Sequence, residues 1–247
     1  MHAIIGGTGL NQLSAFKAEQ THSIDTPYGR PSGNITTGMY HGVEVCFLAR
    51  HGQPHSIPPH QINYRANMHA LKELGVSDVV AINAVGGIHS HMPPKALAVP
   101  DQIIDYTWGR EHTIYDGSGL ALQHVDFTEP YTQSIRKALI QAARKAEIDI
   151  LPCGVYAATN GPRLESAAEV MRIKQDGGDM IGMTGMPEAS LAVELKLNYA
   201  CLALSVNWAA GLHGLNPISM EEVKKALEEG IASVEKVLAT YLEGFKD

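Results

Sequence analysis

Several features that would assign a function class are missing from this chain. It has no basic block: 19 Lys and Arg stand against 26 Asp and Glu, a formal net charge of −7 at pH 7. Nor do basic and aromatic residues interleave. An extended nucleic-acid surface needs clustered cations to displace counterions from phosphates, so nucleic acid is excluded as a partner. A single small anion is still compatible, because one local site does not require a basic protein. Cysteine is scarce. Cys46, Cys153 and Cys201 are odd in number, sit in apolar runs and show no C-x-x-C spacing. They read as reduced, buried thiols of a cytoplasmic protein rather than as a disulfide framework or a zinc site. The longest apolar runs fall far short of a bilayer's thickness, so no membrane partner is expected. Ala3-Ile4-Ile5 enters a strand without a charged leader. Repeats, linkers and low-complexity tracts are absent as well.

What is present points to one α/β domain over residues 1–247, with a central mixed, mostly parallel sheet flanked by helices. At 247 residues and 45% hydrophobic content, the chain can bury a large core. Residues 79–87 organise the rest: an apolar run of strand length, then Asn83-Ala84 and an expected Gly86-Gly87 turn. Apolar on both faces, the run reads as a central, covered strand. It follows a helix over 62–74 that stops at Gly75. Further strands are read at 3–5, 43–49, 153–159, 180–181 and 199–206, with another at 97–104 that Pro100 bends or confines to an edge. Helices are read over 131–146, up to Gln175, and from Pro187 as a first helical residue. The last begins at a capping-box pattern, Ser219 to Glu222, and turns Val223, Leu227, Ile231, Val234 and Leu238 inward. The polar stretch 108–130 reads as a long loop, a length often functional or interfacial.

Ligands of covered parallel sheets sit beyond the carboxyl ends of the strands, and here those ends are polar. Gly6-Gly7-Thr8-Gly9 offers free backbone N–H groups and a hydroxyl suited to one phosphate. As a dinucleotide fingerprint it lacks the third glycine, and Asp25 lies in a turn rather than at a strand end. Arg50-His51 supplies a planar donor fork for an oxyanion. His51, His55 and His60 raise the question of a metal, but Pro54, Pro58 and Pro59 forbid a helix there and no carboxylate stands at ligand spacing. No metal is expected.

Together, Ile5-Gly6-Gly7-Thr8-Gly9-Leu10, Leu48-Ala49-Arg50-His51-Gly52, Asn160-Gly161-Pro162-Arg163 and Met183-Thr184-Gly185-Met186-Pro187-Glu188 resemble the purine nucleoside phosphorylase and methylthioadenosine phosphorylase family. The resemblance covers nearly the whole chain. It implies that Thr8, Arg50, His51, Thr184 and the Asn83-Ala84 backbone hold inorganic phosphate, a co-substrate, with no further cofactor. Leu164, Met183, Ala209, Met220 and His124 would face the nucleoside, with Met183 against the ribose and His124 donated by a neighbouring subunit of a homotrimer.

The base pocket departs from the adenosine-type branch. Where methylthioadenosine phosphorylases carry two Asp residues, this chain has Asn207 and Ala209, and the 6-oxopurine branch has counterparts of Asn207 and Glu165. Hypoxanthine presents an N1–H donor and an O6 acceptor, which an ionised Glu165 and the Asn207 amide complement; adenine N1 would present a lone pair to the carboxylate. Glu165 and Asn207 are thus the implied catalytic pair. At the 5′ end, Met220 matches an apolar position of the methylthio-type enzymes. The combination implies phosphorolysis of 5′-methylthioinosine. A general 6-oxopurine nucleoside phosphorylase, a methylthioadenosine phosphorylase and a non-catalytic purine sensor remain as alternatives.

Overall fold

The computed structural model describes residues 1–10, 13–117, 119–214 and 216–246. Eleven strands among them form one sheet: β1 (His2–Gly6), β2 (Phe16–His22), β3 (Ile35–Tyr40), β4 (Val43–Ala49), β5 (Asp78–Gly87), β6 (Leu97–Ala98), β7 (Gln102–Asp105), β8 (Ile150–Leu151), β9 (Val155–Ala158), β10 (Met180–Gly182) and β11 (Asn198–Trp208). The helices are α1 (Tyr64–Glu73), α2 (Gln133–Lys145), α3 (Ala167–Gln175), α4 (Glu188–Glu194) and α5 (Met220–Glu243). Six strand pairs run parallel and four antiparallel.

β5 is the hub. One of its edges pairs with β11 along nearly the whole strand, Asp78 to Gly87. The other pairs with β1 only as far as Ala81, then with β10 from Gly86. Between these partners, residues 82–85 carry no ladder on that edge, and the Ile82 carbonyl accepts from the Arg50 side chain instead. The expected Gly86-Gly87 turn is therefore corrected: both glycines continue the strand. Partners on both edges hold them extended, and a Cβ on Gly87 would run into the Met92 backbone.

Alternation along β5 feeds two cores. Val79, Ala81 and Val85 pack on one face with Met68 and Leu71 of α1 and Leu191 of α4. Val80 and Ile82 pack on the other with Ile135 and Leu139 of α2 and Val234 and Leu238 of α5. Truncating a fully buried Leu238 to Ala would cost about 2–5 kcal/mol.

Other expectations shift in detail. Pro100 splits the 97–104 element into β6 and β7, which pair with different neighbours. β2 and β3 escape the apolar pattern because β2 is an edge strand, exposed along most of its length. Pro187 is the N-cap of α4 rather than its first residue. Ser219 caps α5 through the Glu222 N–H, whereas the reciprocal capping box forms on α3, between Ser166 and Glu169. Val223, Leu227 and Ile231 are half-buried, packed at the margin of the second core. Cys46 and Cys201 are buried thiols, but Cys153 is exposed, in the bend between β8 and β9.

Candidate active site

The end of β4 delivers Arg50, which is fully buried. Its Nε and Nη2 donate to the two carboxylate oxygens of Glu188 at 2.7 and 2.8 Å, and its Nη1 to the Ile82 carbonyl at 3.1 Å. Tyr199 adds a third donor to Glu188 at 2.8 Å. Burial alone disfavours the guanidinium charge, but the Glu188 carboxylate outweighs it and holds Arg50 protonated. Three of the five guanidinium N–H groups are thereby engaged, leaving two for a ligand. Gly7 must be a glycine at this point, because a Cβ there would lie 2.5 Å from the Ile82 carbonyl oxygen and 3.1 Å from Arg50 Nη1.

His51 is neutral. Burial pushes its pKa down to about 4, helped by nearby Arg50 and His55 and opposed by the bond to Ile57. Nδ1 lies 2.8 Å from the Ile57 carbonyl, which only accepts, so Nδ1 carries the proton and Nε2 is a lone pair. The ring therefore suits the P–OH of hydrogen phosphate rather than a bare oxyanion. Asn83 is buried, and its side chain donates to Thr184 Oγ1 at 2.8 Å, which leaves the Thr184 hydroxyl proton free to donate. With Arg50 offset by Glu188 and His51 neutral, hydrogen-bond donors rather than net charge define this end.

At the other end, β11 carries a bulge: Ser205 pairs with Val85, and Asn207, two residues on, with the adjacent Gly86. The extra residue, Val206, re-aims Asn207 at the site. The Asn207 amide donates one N–H to the Trp208 carbonyl at 2.8 Å and keeps its second. Glu165 stands just before the N-cap of α3, and its Oε1 accepts from the Thr159 hydroxyl at 2.6 Å.

One cavity of about 180 Å³ joins the two ends. Thr8, Arg50, His51, Ala84, Leu164, Glu165, Met183, Thr184, Asn207, Ala209 and Met220 all line it. Of the expected site residues, only two do not. Asn83 lies behind Thr184, and His124 is exposed on the long loop, away from the cavity within one chain. Met220 is the first residue of α5 and 65% exposed, so it is no core residue. Ile218, Val223 and Pro59 extend its apolar wall.

Sequence reasoning missed three contributors. Glu188 stood in a quoted motif without a role. Thr159 precedes the Asn160-Gly161-Pro162 stretch by one position. Arg110, in the long loop, is buried and donates to the carbonyls of Met186, Asn160 and Thr159, tying together the segments that carry Thr184 and Glu165. Among the described residues no cluster of three or more His, Cys, Asp or Glu is arranged to hold a metal ion, and no helix is long and apolar enough to cross a membrane. The His51 and His55 rings lie in contact, tilted by 46° with centroids 4.4 Å apart.

Comparison with known proteins decides the family. The family model described as the phosphorylase superfamily matches residues 1–243. The chain belongs to the phosphorylase superfamily. It is accordingly an enzyme of the pentosyltransferase type. A protein of Pseudomonas syringae pv. tomato named as a probable S-methyl-5′-thioinosine phosphorylase is 50% identical over 242 residues, 98% of each chain. The 6-oxopurine nucleoside phosphorylase of Pyrococcus furiosus is 46% identical over 242 residues, 96% of this chain and 89% of its own. Among solved structures, the methylthioadenosine phosphorylase of Schistosoma mansoni in complex with adenine superposes with a TM-score of 0.93 at 32% identity, covering 100% of this phosphorylase and 92% of that chain.

Proposed function

We propose that the enzyme cleaves S-methyl-5′-thioinosine with inorganic phosphate, giving hypoxanthine and 5-methylthioribose 1-phosphate. The observation that carries this reading is the pairing of Glu165 and Asn207 at one end of the cavity whose other end holds Thr8, Arg50 and Thr184. Phosphate hydrogen-bonded to the latter three attacks the anomeric carbon as the glycosidic bond lengthens, through an oxocarbenium-like state. Positioning and charge placement supply most of the acceleration. Negative charge builds on the departing purine. The free N–H of Asn207 donates to N7 or O6, and Glu165 accepts from N1–H. With adenine, the carboxylate would face a lone pair, and an unpaired buried group of this kind rejects the wrong base by roughly a hundredfold or more.

The apolar wall of Met220, Ile218 and Val223 supports a methylthio group at the 5′ end. A general 6-oxopurine nucleoside phosphorylase is the second reading, favoured by the exposure of Met220 in the single chain. A homotrimer would close that opening: exposed Trp108, Leu120, Leu122 and Val125 on the long loop offer an apolar surface to a neighbour, and the exposed His124 beside them would enter the neighbour's 5′ end. Three free thiols support a reducing, cytoplasmic setting. Phosphate is a co-substrate, and the chemistry calls for no other cofactor. The test is purine release from methylthioinosine, inosine and methylthioadenosine, each with and without phosphate. Release at full rate without phosphate, or a preference for methylthioadenosine, refutes the assignment.

A further inference from the structure

The carboxylate of Glu165 is held in an unusual way for a specificity group. Among the described residues its hydrogen-bond partner is a single hydroxyl, Thr159 Oγ1, at 2.6 Å. Glu165 also lines a second cavity of about 240 Å³, together with Thr159, Tyr106, Trp108, Arg163 and Arg172. A Glu side chain with three rotatable bonds and open space on two sides keeps its direction only if something fixes it.

Thr159 is built to do so. It is 9% exposed, its N–H donates to the Gly182 carbonyl at 2.9 Å, and its own carbonyl accepts from buried Arg110 at 3.3 Å. Its χ1 is stiffened by β-branching. The hydroxyl has one proton and two candidate acceptors. Gly182 O lies 3.5 Å away and Glu165 Oε1 2.6 Å, so the proton goes to the carboxylate. That bond occupies Oε1 and leaves Oε2 as the acceptor presented to the base. We propose that Thr159 is the positioning residue that aims Glu165 at the N1–H of a 6-oxopurine and so sets the enzyme's choice between 6-oxo and 6-amino nucleosides. The proposal rests on the base-pocket reading above, and Thr159 touches no substrate itself.

The experiment compares catalytic efficiencies on methylthioinosine and methylthioadenosine for the parent, Thr159→Val, Thr159→Ser, Glu165→Gln and the double variant Thr159→Val/Glu165→Gln. Val keeps the shape and removes the donor. A hydrogen bond to a charged group is worth enough for Thr159→Val to lower efficiency on methylthioinosine by at least roughly tenfold. Efficiency on methylthioadenosine should stay within about threefold, and Ser should restore most of the loss. In the Glu165→Gln background the Val change should add little, because the group it positions is gone. If Thr159→Val does not fold, Thr159→Ala carries the same comparison. Equal losses on both nucleosides, absence of rescue by Ser, or an undiminished Val effect beside Glu165→Gln would overturn the positioning role while leaving the base pocket intact. If Glu165→Gln itself leaves the ratio of efficiencies unchanged, the base-pocket reading fails and takes this proposal with it.

Discussion

Replacing Glu188 by Gln tests how Arg50 is kept charged and folded in the site proposed to hold phosphate. Both side chains of this pair are fully buried, and two guanidinium bonds of 2.7 and 2.8 Å hold them. Gln keeps the volume but removes the charge, and its amide nitrogen would turn a donor toward Arg50 or Tyr199. Breaking a buried pair from one side leaves an uncompensated ion, at about 3–5 kcal/mol. For a chain of this size that corresponds to a fall in Tm on the order of 6–20 °C. Phosphate should offset part of the loss. Saturation at a hundred times its dissociation constant stabilises any binder by about 2.7 kcal/mol, and in the variant phosphate also becomes the counter-ion Arg50 has lost. The assay is urea unfolding of parent and variant at pH 7, with and without phosphate. Phosphate should stabilise the variant by more than the parent. A loss below about 1 kcal/mol would refute the buried-pair energetics. An equal phosphate increment in both proteins would refute the replacement of the lost counter-ion by phosphate.

His51 should make the fold acid-sensitive. Its pKa is pushed down to about 4 from an ordinary 6.5, so its contribution is fully present above pH 6.5 and is lost as pH falls toward 4, where the unfolded chain binds a proton that the native one refuses. The loss is on the order of 3 kcal/mol across that window, and urea midpoints of His51→Gln should fall less steeply than those of the parent. Arg110→Ala strands the carbonyls of Thr159, Asn160 and Met186 and should cost about 3 kcal/mol in the same assay, with Arg110→Lys recovering less than half because an ammonium cannot span all three. Met220→Ala should lower efficiency on methylthioinosine by roughly fivefold, at about 0.8 kcal/mol per buried methylene discounted for exposure, and leave inosine nearly unchanged. Equal effects on the two nucleosides would remove Met220 from the 5′ pocket.

The strand ends were legible in the sequence because apolar runs stop abruptly at polar groups, as β4 does at Arg50 and β11 near Asn207. Eleven of the thirteen site residues that the family resemblance implied line one cavity. Among them Arg50, Thr184 and Asn207 stand at or just beyond strand ends, whereas Leu164, Glu165 and Met220 lie in loops or at a helix start and were carried by the resemblance alone. What stayed hidden depends on contacts distant in sequence. Glu188 lies 138 positions from Arg50, and no local pattern announces a buried ion pair. Thr159 and Arg110 act through one hydroxyl and several backbone carbonyls, which carry no periodic signature. The Gly86-Gly87 pair misled for the opposite reason: local glycine preference for turns yields when neighbours on both edges supply a ladder. His124 stays on the surface of the single chain, where a role completed by a neighbour leaves no trace.

Competition in one tube tests the central claim most directly. Equal concentrations of methylthioinosine and methylthioadenosine, with excess phosphate, report the ratio of catalytic efficiencies from the hypoxanthine and adenine released, while phosphorus NMR follows the sugar product. Hypoxanthine in at least roughly hundredfold excess, matched mole for mole by a sugar 1-phosphate, is the expected result. Adenine released at a comparable rate, or hypoxanthine accompanied by free methylthioribose, would contradict it.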